Sequence, residues 1–281
     1  MMNDWPKSIV DWTEGDTAFV SVPFTWLLPE AWSQCVALRQ GHKRVRAGGP
    51  AVSLSIGSAA LPDMSQVAEV GEEVAALPHH NPNATFTSRG CIRKCSFCAV
   101  PKIEGDLREL TAWDPRPLVC DNNLLACSRS HFDKVIDRLK PVPGIDFNQG
   151  LDARLLTDYH VGRIRELDLE CVRFAWDDIA SENAVHDAIF RCIDAGIPKN
   201  KIRCYVLVGT DYDTPDDARC RCETLKAAGI VKPNVQRYQP LDTLSKDSFV
   251  GRYWTKKELG RFCRYWNRQA WLGGVDYDDY E

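Results

Sequence analysis

Residues 85–108 read TFTSRGCIRKCSFCAVPKIEGDLR, so Cys91, Cys95 and Cys98 form a C-x3-C-x2-C triplet with Phe97 directly before the last thiol. Sulfur donates well to iron and zinc, and a short loop can wrap several thiolates around one soft metal centre. A structural zinc site would want four closed tetrahedral ligands, usually as two C-x2-C-like pairs, and no second knuckle follows here. His79, His80 or another cysteine could complete such a knuckle, and that reading stands as the alternative. Three cysteines taken alone leave one vertex open. An open vertex is useful when a substrate or cofactor comes to occupy it, which points to chemistry and away from a scaffold.

The chain around the triplet is able to house such a centre. Its 281 residues, 44% hydrophobic and 26% charged, suffice for a full core in one large domain or one and a half. No run approaches the ~18 apolar residues of a membrane span, and MMNDWPKS at the start lacks the basic and apolar regions of a secretory signal. A cytoplasmic location with no membrane partner is therefore expected. Twelve cysteines in a chain of this length do not require a disulfide framework, which belongs to short secreted domains, and reduced thiols suit the same compartment. A net charge of −4 argues against coating nucleic acid by bulk electrostatics and leaves local basic patches open.

From Ala84 onward short apolar runs alternate with helical periods, the trace of repeated βα units and a parallel sheet. Strands are expected at 84–89, 116–120, 144–149, 170–176, 202–208 and 234–239, and helices at 131–140, 157–167, 181–195, 214–228 and 255–270. Thr214 before Pro215 and Asp217, and Thr255 before Glu258, look like N-caps with an acidic third position. Ahead of this pattern, 17–24 has strand character, 29–40 reads as a helix with Pro29 in its first turn, 46–50 as a turn and 51–55 as a second strand. The division expected is an α/β extension over 1–83, a main α/β domain over 84–250, and a closing helix with an acidic tail over 251–281.

The triplet with its aromatic neighbour resembles the signature of the radical S-adenosylmethionine (radical SAM) superfamily. The resemblance implies a partial (β/α)6 barrel, which the six expected units match, preceded by a small N-terminal α/β extension. It also implies that Cys91, Cys95 and Cys98 hold three irons of a 4Fe-4S cluster, while the amino and carboxylate groups of S-adenosylmethionine chelate the fourth. One electron, from a donor such as a flavodoxin or ferredoxin, then breaks the sulfur to 5′-carbon bond, and the resulting 5′-deoxyadenosyl radical abstracts hydrogen from a substrate. Residues 1–83 are similar to a shortened version of the cobalamin-binding-type domain found ahead of the motif in many members. The chain lacks the D-x-H-x-x-G stretch that supplies the lower cobalt ligand in that family, so no cobalamin is predicted, and a packing extension is the plainer reading.

In barrels of this kind chemistry gathers at the C-terminal ends of the strands. After 116–120 come Asp121, Asn122 and Asn123, where the family has a polar segment that holds the amino group of S-adenosylmethionine; the match is positional. Carbonyl and carboxylate acceptors suit an ammonium, and a plain turn is the alternative. After the third strand, Arg154 could clamp a carboxylate of cofactor or substrate, or brace Asp152 internally. Asp177 and Ser181, after the fourth strand, stand where the family holds the adenosyl ribose; a helix N-cap by Asp178 or Ser181 competes with that role. Val208 and Gly209 resemble the strand and glycine that contact adenine, since glycine lets a flat ring approach the backbone. Phe97 completes the expected cofactor-binding set.

Within the superfamily, Cys-Ser-Phe-Cys-Ala-Val-Pro followed by Gly105 and Arg108 is similar to the methylthiotransferases of tRNA and ribosomal protein. Those enzymes carry a second cluster on three N-terminal cysteines, whereas only Cys35 precedes Cys91 here, and no room remains after residue 240 for their RNA-holding β-barrel. Most of the cysteines from Cys120 to Cys263 read as small buried hydrophobes, and an auxiliary cluster built from Cys220, Cys222 and distant partners is the alternative. Arg252, Lys256, Lys257, Arg261, Arg264 and Arg268, interleaved with Tyr253, Trp254, Phe262, Tyr265 and Trp266, could bind phosphates and stack bases, or could form an amphipathic closing helix. The reading therefore leans to radical chemistry on a nucleobase, nucleotide or nucleic acid. The same chemistry on a peptide, amino acid or small metabolite, and a non-catalytic metal-binding module, are the alternatives.

Overall fold

A computed structural model describes residues 5–70, 76–230, 233–268 and 274–280. They divide into two units, one drawn from Met1–Ala84, Arg93–Asp106 and Gln239–Ser248, the other from Thr85–Ile92, Leu107–Tyr238 and Phe249–Glu281.

The first unit carries a three-stranded sheet. Val10–Glu14 (β1) pairs antiparallel with Thr17–Ser21 (β2), and β2 pairs parallel with Arg44–Gly48 (β3) after a crossover through the helix Leu28–Leu38 (α1). Val20, Val22, Leu28, Ala31, Cys35 and Met64 form the centre of its apolar core. Two expectations are corrected here. Residues 51–55 are not a strand but belong to the helix Pro50–Ser55 (α2), and the strand lies at β3, across the stretch expected to turn. Pro50 at the first helical position is preset for a helix. Gly49 precedes it at φ +94, and a Cβ there would lie 2.8 Å from the Val22 carbonyl oxygen, so only glycine fits the entry. The true strand shows its alternation in burial, with Val45 and Ala47 inside. Short helices Leu77–His80 (α3) and Val100–Ile103 (α4) complete the elements described in this unit.

The second unit is built on a six-stranded sheet. Its strands are Ala84–Thr85 (β4), Leu118–Val119 (β7), Ile145–Phe147 (β8), Leu169–Ala175 (β9), Ile202–Val208 (β10) and Pro233–Arg237 (β11), side by side in that order. Neighbours from β7 to β11 are parallel, and among the described residues β4 and β11 are the two ends of the order. Arg129–Leu139 (α5), Asp158–Ile164 (α6), Glu182–Asp194 (α7) and Pro215–Ala227 (α8) connect successive strands, and Lys256–Arg268 (α9) follows β11. Each falls close to its expected span. Residues 269–270 of the expected last helix lie outside the described residues. The strand expected at 84–89 is in fact two: β4 joins the large sheet, whereas Ser88–Arg89 (β5) pairs antiparallel with Arg108–Glu109 (β6). Asp121 causes the break by accepting the backbone N–H groups of Thr87 and Ser88, at 2.5 and 3.1 Å, which takes them out of the large ladder.

The two faces of the sheet differ. Ile202, Cys204, Val206 and Val208 of β10 are buried in the main apolar core, while Arg203, Tyr205 and Leu207 are half-buried on the other face. Buried Asp146 and Arg173 form a bidentate pair at 2.7 and 2.6 Å, with the guanidinium 5.6 Å from the centre of the Tyr205 ring. At the edge, Asn267 of α9 supplies what a further strand would: its Oδ1 accepts from Val235 N at 3.0 Å and its Nδ2 donates to Val235 O at 2.9 Å.

Arg221 of α8, 0% exposed, gathers the strand ends. It donates to Trp176 O after β9 at 2.7 Å, to Leu207 O in β10 at 3.0 Å, and to Asp213 Oδ1. Removing one partner of such a pair leaves a buried charge and orphaned carbonyls, so Arg221→Ala should cost roughly 3–5 kcal/mol. Denaturant unfolding measures this. Lys43→Ala, which breaks an ion pair whose side chains are 81% and 66% exposed, should change stability by less than about 1 kcal/mol in the same assay.

Candidate metal and cofactor site

The cysteine loop leaves β5 and returns at β6, so two antiparallel residue pairs, Ser88 with Glu109 and Arg89 with Arg108, close its base. Cys91, Cys95 and Cys98 are all half-buried thiols. Cys98 N donates to Cys95 O at 3.1 Å, forming a turn that contains half-buried Phe97. Among the described residues no three or more His, Cys, Asp or Glu side chains are gathered into a group that could hold a metal ion. The donor set nevertheless suits an iron-sulfur centre by its chemistry. It offers three soft ligands with no carboxylate or imidazole between them, and Arg93 and Lys94 place cations in the same loop.

The segment after β7 divides the work of its three polar residues. Buried Asp121 accepts from Thr87 N, Thr87 Oγ1 and Ser88 N, so its carboxylate serves the loop, and burial raises its pKa against the lowering effect of those bonds. Asn122 is half-buried. Asn123, 2% exposed, donates from Nδ2 to Cys91 Sγ at 3.5 Å and to Asp152 Oδ2 at 3.2 Å, while its Oδ1 is buried with no hydrogen-bond partner. Asp152 in turn accepts from Arg154 Nε at 2.6 Å. This is the internal brace that stood as the alternative for Arg154, although its guanidinium remains well exposed.

Past β9 the residues separate by function. Asp178 accepts from Ala180 N at 2.9 Å and caps the short turn before α7, whereas Ser181, at the N-cap position, makes no side-chain capping bond. Asp177 caps nothing. Burial pushes its carboxyl from 3.8 up to about 6, opposed by the Arg221 and Arg154 guanidinium groups. The expected adenine contacts look different. Val208 is buried in the main core, and the space beside Gly209, at φ +83, is filled by Leu259 Cδ2, 2.8 Å from where a Cβ would stand. Gly209 thus admits α9, and its N–H is taken by Asp213 Oδ2 at 3.0 Å.

Helix α9 resolves a further choice. Trp254, Phe262, Tyr265 and Trp266 are buried, and Arg261 donates to the Tyr277 and Tyr280 carbonyls, so the amphipathic closing helix is the form present. Tyr253 alone of those five aromatics is exposed. Cys35, Cys120, Cys171, Cys192, Cys204 and Cys222 are buried as expected, and burial pushes the Cys120 and Cys192 thiols up to about 12; Cys220 is exposed. Sequence reasoning missed Arg221 and Asp213. The usable signal was an arginine inside the apolar stripe Ala218, Cys222 and Leu225, where a charge needs a buried partner.

No family model matches the chain, and no curated protein matches it. Among solved structures, the radical S-adenosylmethionine methyltransferase TsrM from Kitasatospora setae, with cobalamin and a [4Fe-4S] cluster bound, is similar at a TM-score of 0.56 and 12% identity. The likeness covers 80% of this chain and 64% of that one. This chain therefore shares its fold with a radical SAM methyltransferase over a little under two thirds of that protein's length.

Proposed function

We propose that this chain is a radical SAM enzyme whose Cys91, Cys95 and Cys98 hold a 4Fe-4S cluster and which cleaves S-adenosylmethionine reductively. The observation that carries the reading is the C-x3-C-x2-C loop itself, standing at the head of a parallel βα array of matching fold. The bound cluster would supply one electron that breaks the sulfur to 5′-carbon bond and leaves a 5′-deoxyadenosyl radical to abstract hydrogen. This chain's residues would bind and orient the cofactor. The partnerless Oδ1 of Asn123, with Asn122 beside it, is suited to an ammonium, and Asp177 and Ser181 to ribose hydroxyls. Phe97 lies within the thiol turn. The electron donor would be a flavodoxin or ferredoxin, the compartment the cytoplasm, and the substrate a nucleobase, nucleotide or nucleic acid. Support for that substrate class is the methylthiotransferase-like loop. Binding to oligonucleotides that weakens steeply with salt, while binding to nucleosides does not, would mark a nucleic acid, because only phosphate contacts release counterions.

Single replacement of Cys91, Cys95 or Cys98 by Ala should remove most iron and the visible thiolate-to-iron absorbance after anaerobic reconstitution, together with 5′-deoxyadenosine formation. Cys192→Ala and Cys263→Ala should retain all three. Full iron content in every mutant would end the assignment.

Asp177 and Asp121 should respond oppositely. Asp177→Ala removes an acceptor facing the cofactor and should weaken S-adenosylmethionine binding by about 1–3 kcal/mol in a titration. Because the folded pKa of Asp177 lies above its ordinary value, the wild type loses stability as pH rises from about 4 through 6. Asp177→Ala should flatten that part of the thermal-midpoint profile, by on the order of 3 kcal/mol. Asp121→Ala should instead lower the midpoint at every pH, by about 1–3 kcal/mol for its orphaned Thr87 and Ser88 donors.

A further inference from the structure

Asn123 follows β7 and is almost wholly enclosed. Its Nδ2 meets two acceptors, Cys91 Sγ at 3.5 Å and Asp152 Oδ2 at 3.2 Å. The flipped amide would set Oδ1 against a carboxylate and a sulfur, so these neighbours fix which way the side chain points. Asp152 is itself held, since Arg154 donates to its Oδ1 from Nε at 2.6 Å and from the backbone N at 3.3 Å. The Asp152 carboxylate is only 6% exposed, so a buried anion is balanced by a guanidinium on one side and spends its other oxygen on the Asn123 amide. The result is a guanidinium, carboxylate, amide and thiol in sequence. Under the proposed function Oδ1 is kept for a ligand, whereas the Nδ2 donors are already engaged inside the protein, on the thiol and the carboxylate.

We infer that Asn123 is a positioning residue whose N–H bond to the Cys91 sulfur raises the reduction potential of the metal centre bound there. The inference rests on the proposed ligation of iron by Cys91. A hydrogen bond to a ligating sulfur withdraws charge from it, and the more negative, reduced state of the centre gains more from this than the oxidised state. Removing the donor therefore makes reduction harder. The carboxylate and guanidinium behind the amide hold its N–H on the sulfur.

The test is a redox titration of the reconstituted full chain with dithionite, followed by EPR and carried out without S-adenosylmethionine, so that any role of Oδ1 in cofactor binding does not enter. Asn123→Leu should keep its iron content and visible absorbance. At the wild-type midpoint its ratio of reduced to oxidised centres should fall about tenfold, equivalent to a midpoint about 59 mV more negative for a one-electron couple. An unchanged midpoint at full iron loading would overturn the inference while leaving the ligation intact. Wild-type protein that takes up no iron, or Cys91→Ala that keeps all of it, would instead overturn the ligation and the inference with it. If N123L does not load, pulsed EPR of the reduced wild type, grown with 15Nδ-labelled asparagine, decides the matter. A 15N coupling is the expected result, and its absence rejects the N–H to sulfur bond.

Discussion

Arg221 is the constraint on which the strand ends of the larger unit depend. A guanidinium with no exposed surface has five donors to satisfy, and here they reach the backbone carbonyls of Trp176 and Leu207, the Asp213 carboxylate and the Asp217 carbonyl. Because Trp176 O and Leu207 O belong to neighbouring chain segments, one side chain sets the depth at which β9 and β10 finish relative to α8. Asp213, whose carboxyl burial pushes up to about 6 against the pull of Arg221, passes the constraint on through Gly209 N. Trp254 Nε1 donates to Asp213 O at 2.7 Å, which ties the start of the C-terminal segment to the same point. A buried charge of this kind is a poor source of net stability, but an arrangement that removed its partners would leave it uncompensated.

That arrangement explains why so few of the polar residues at the strand ends are left for a ligand. Asp121, Asp152 and Asp178 spend their oxygens on Thr87 and Ser88, on Asn123 and Arg154, and on Ala180. Each stabilises an irregular backbone just past a strand, where the ladder no longer supplies partners. Among the described residues, what remains includes Asp177, the Oδ1 of Asn123 and the Oγ1 of Thr210, acceptors held in low-dielectric surroundings. Such acceptors bind a cation or hydroxyl strongly because water competes poorly for them.

The alternation of strands and helices was legible because each helix carries a stripe long enough to show its period, and α8 and α9 carry their Thr caps, Thr214 and Thr255. The thiol triplet was legible because its spacing is local. Where reading failed, an adjacent proline or a long-range contact decided. Residues 51–55 have strand-forming side chains yet follow Pro50, and 84–89 breaks because Asp121, more than thirty positions away, takes two of its N–H groups. Gly209 was assigned to a ring that would approach it, although the group that fills its space is Leu259 of α9. A sequence marks that a glycine is needed without saying what comes close.

The fate of the basic aromatic segment narrows how a phosphate-bearing substrate could be recognised. Gly251 lies so near β10 that a Cβ there would meet Thr210 O at 2.1 Å, and the chain enters α9 pressed against that strand end. Trp254, Phe262, Tyr265 and Trp266 are buried, which leaves Tyr253 as the exposed ring among the described residues of this segment, and a single ring cannot stack successive bases. Arg261 is engaged by Tyr277 and Tyr280, while Lys256, Lys257, Arg264 and Arg268 are exposed along the helix. Those four can lend long-range attraction to a polyanion, but flexible surface cations without stacking partners confer little selectivity among bases. Under the proposed function, discrimination of one base or small molecule from another would fall to the strand-end acceptors, Asp177 and the Asn123 Oδ1, which are shielded from water.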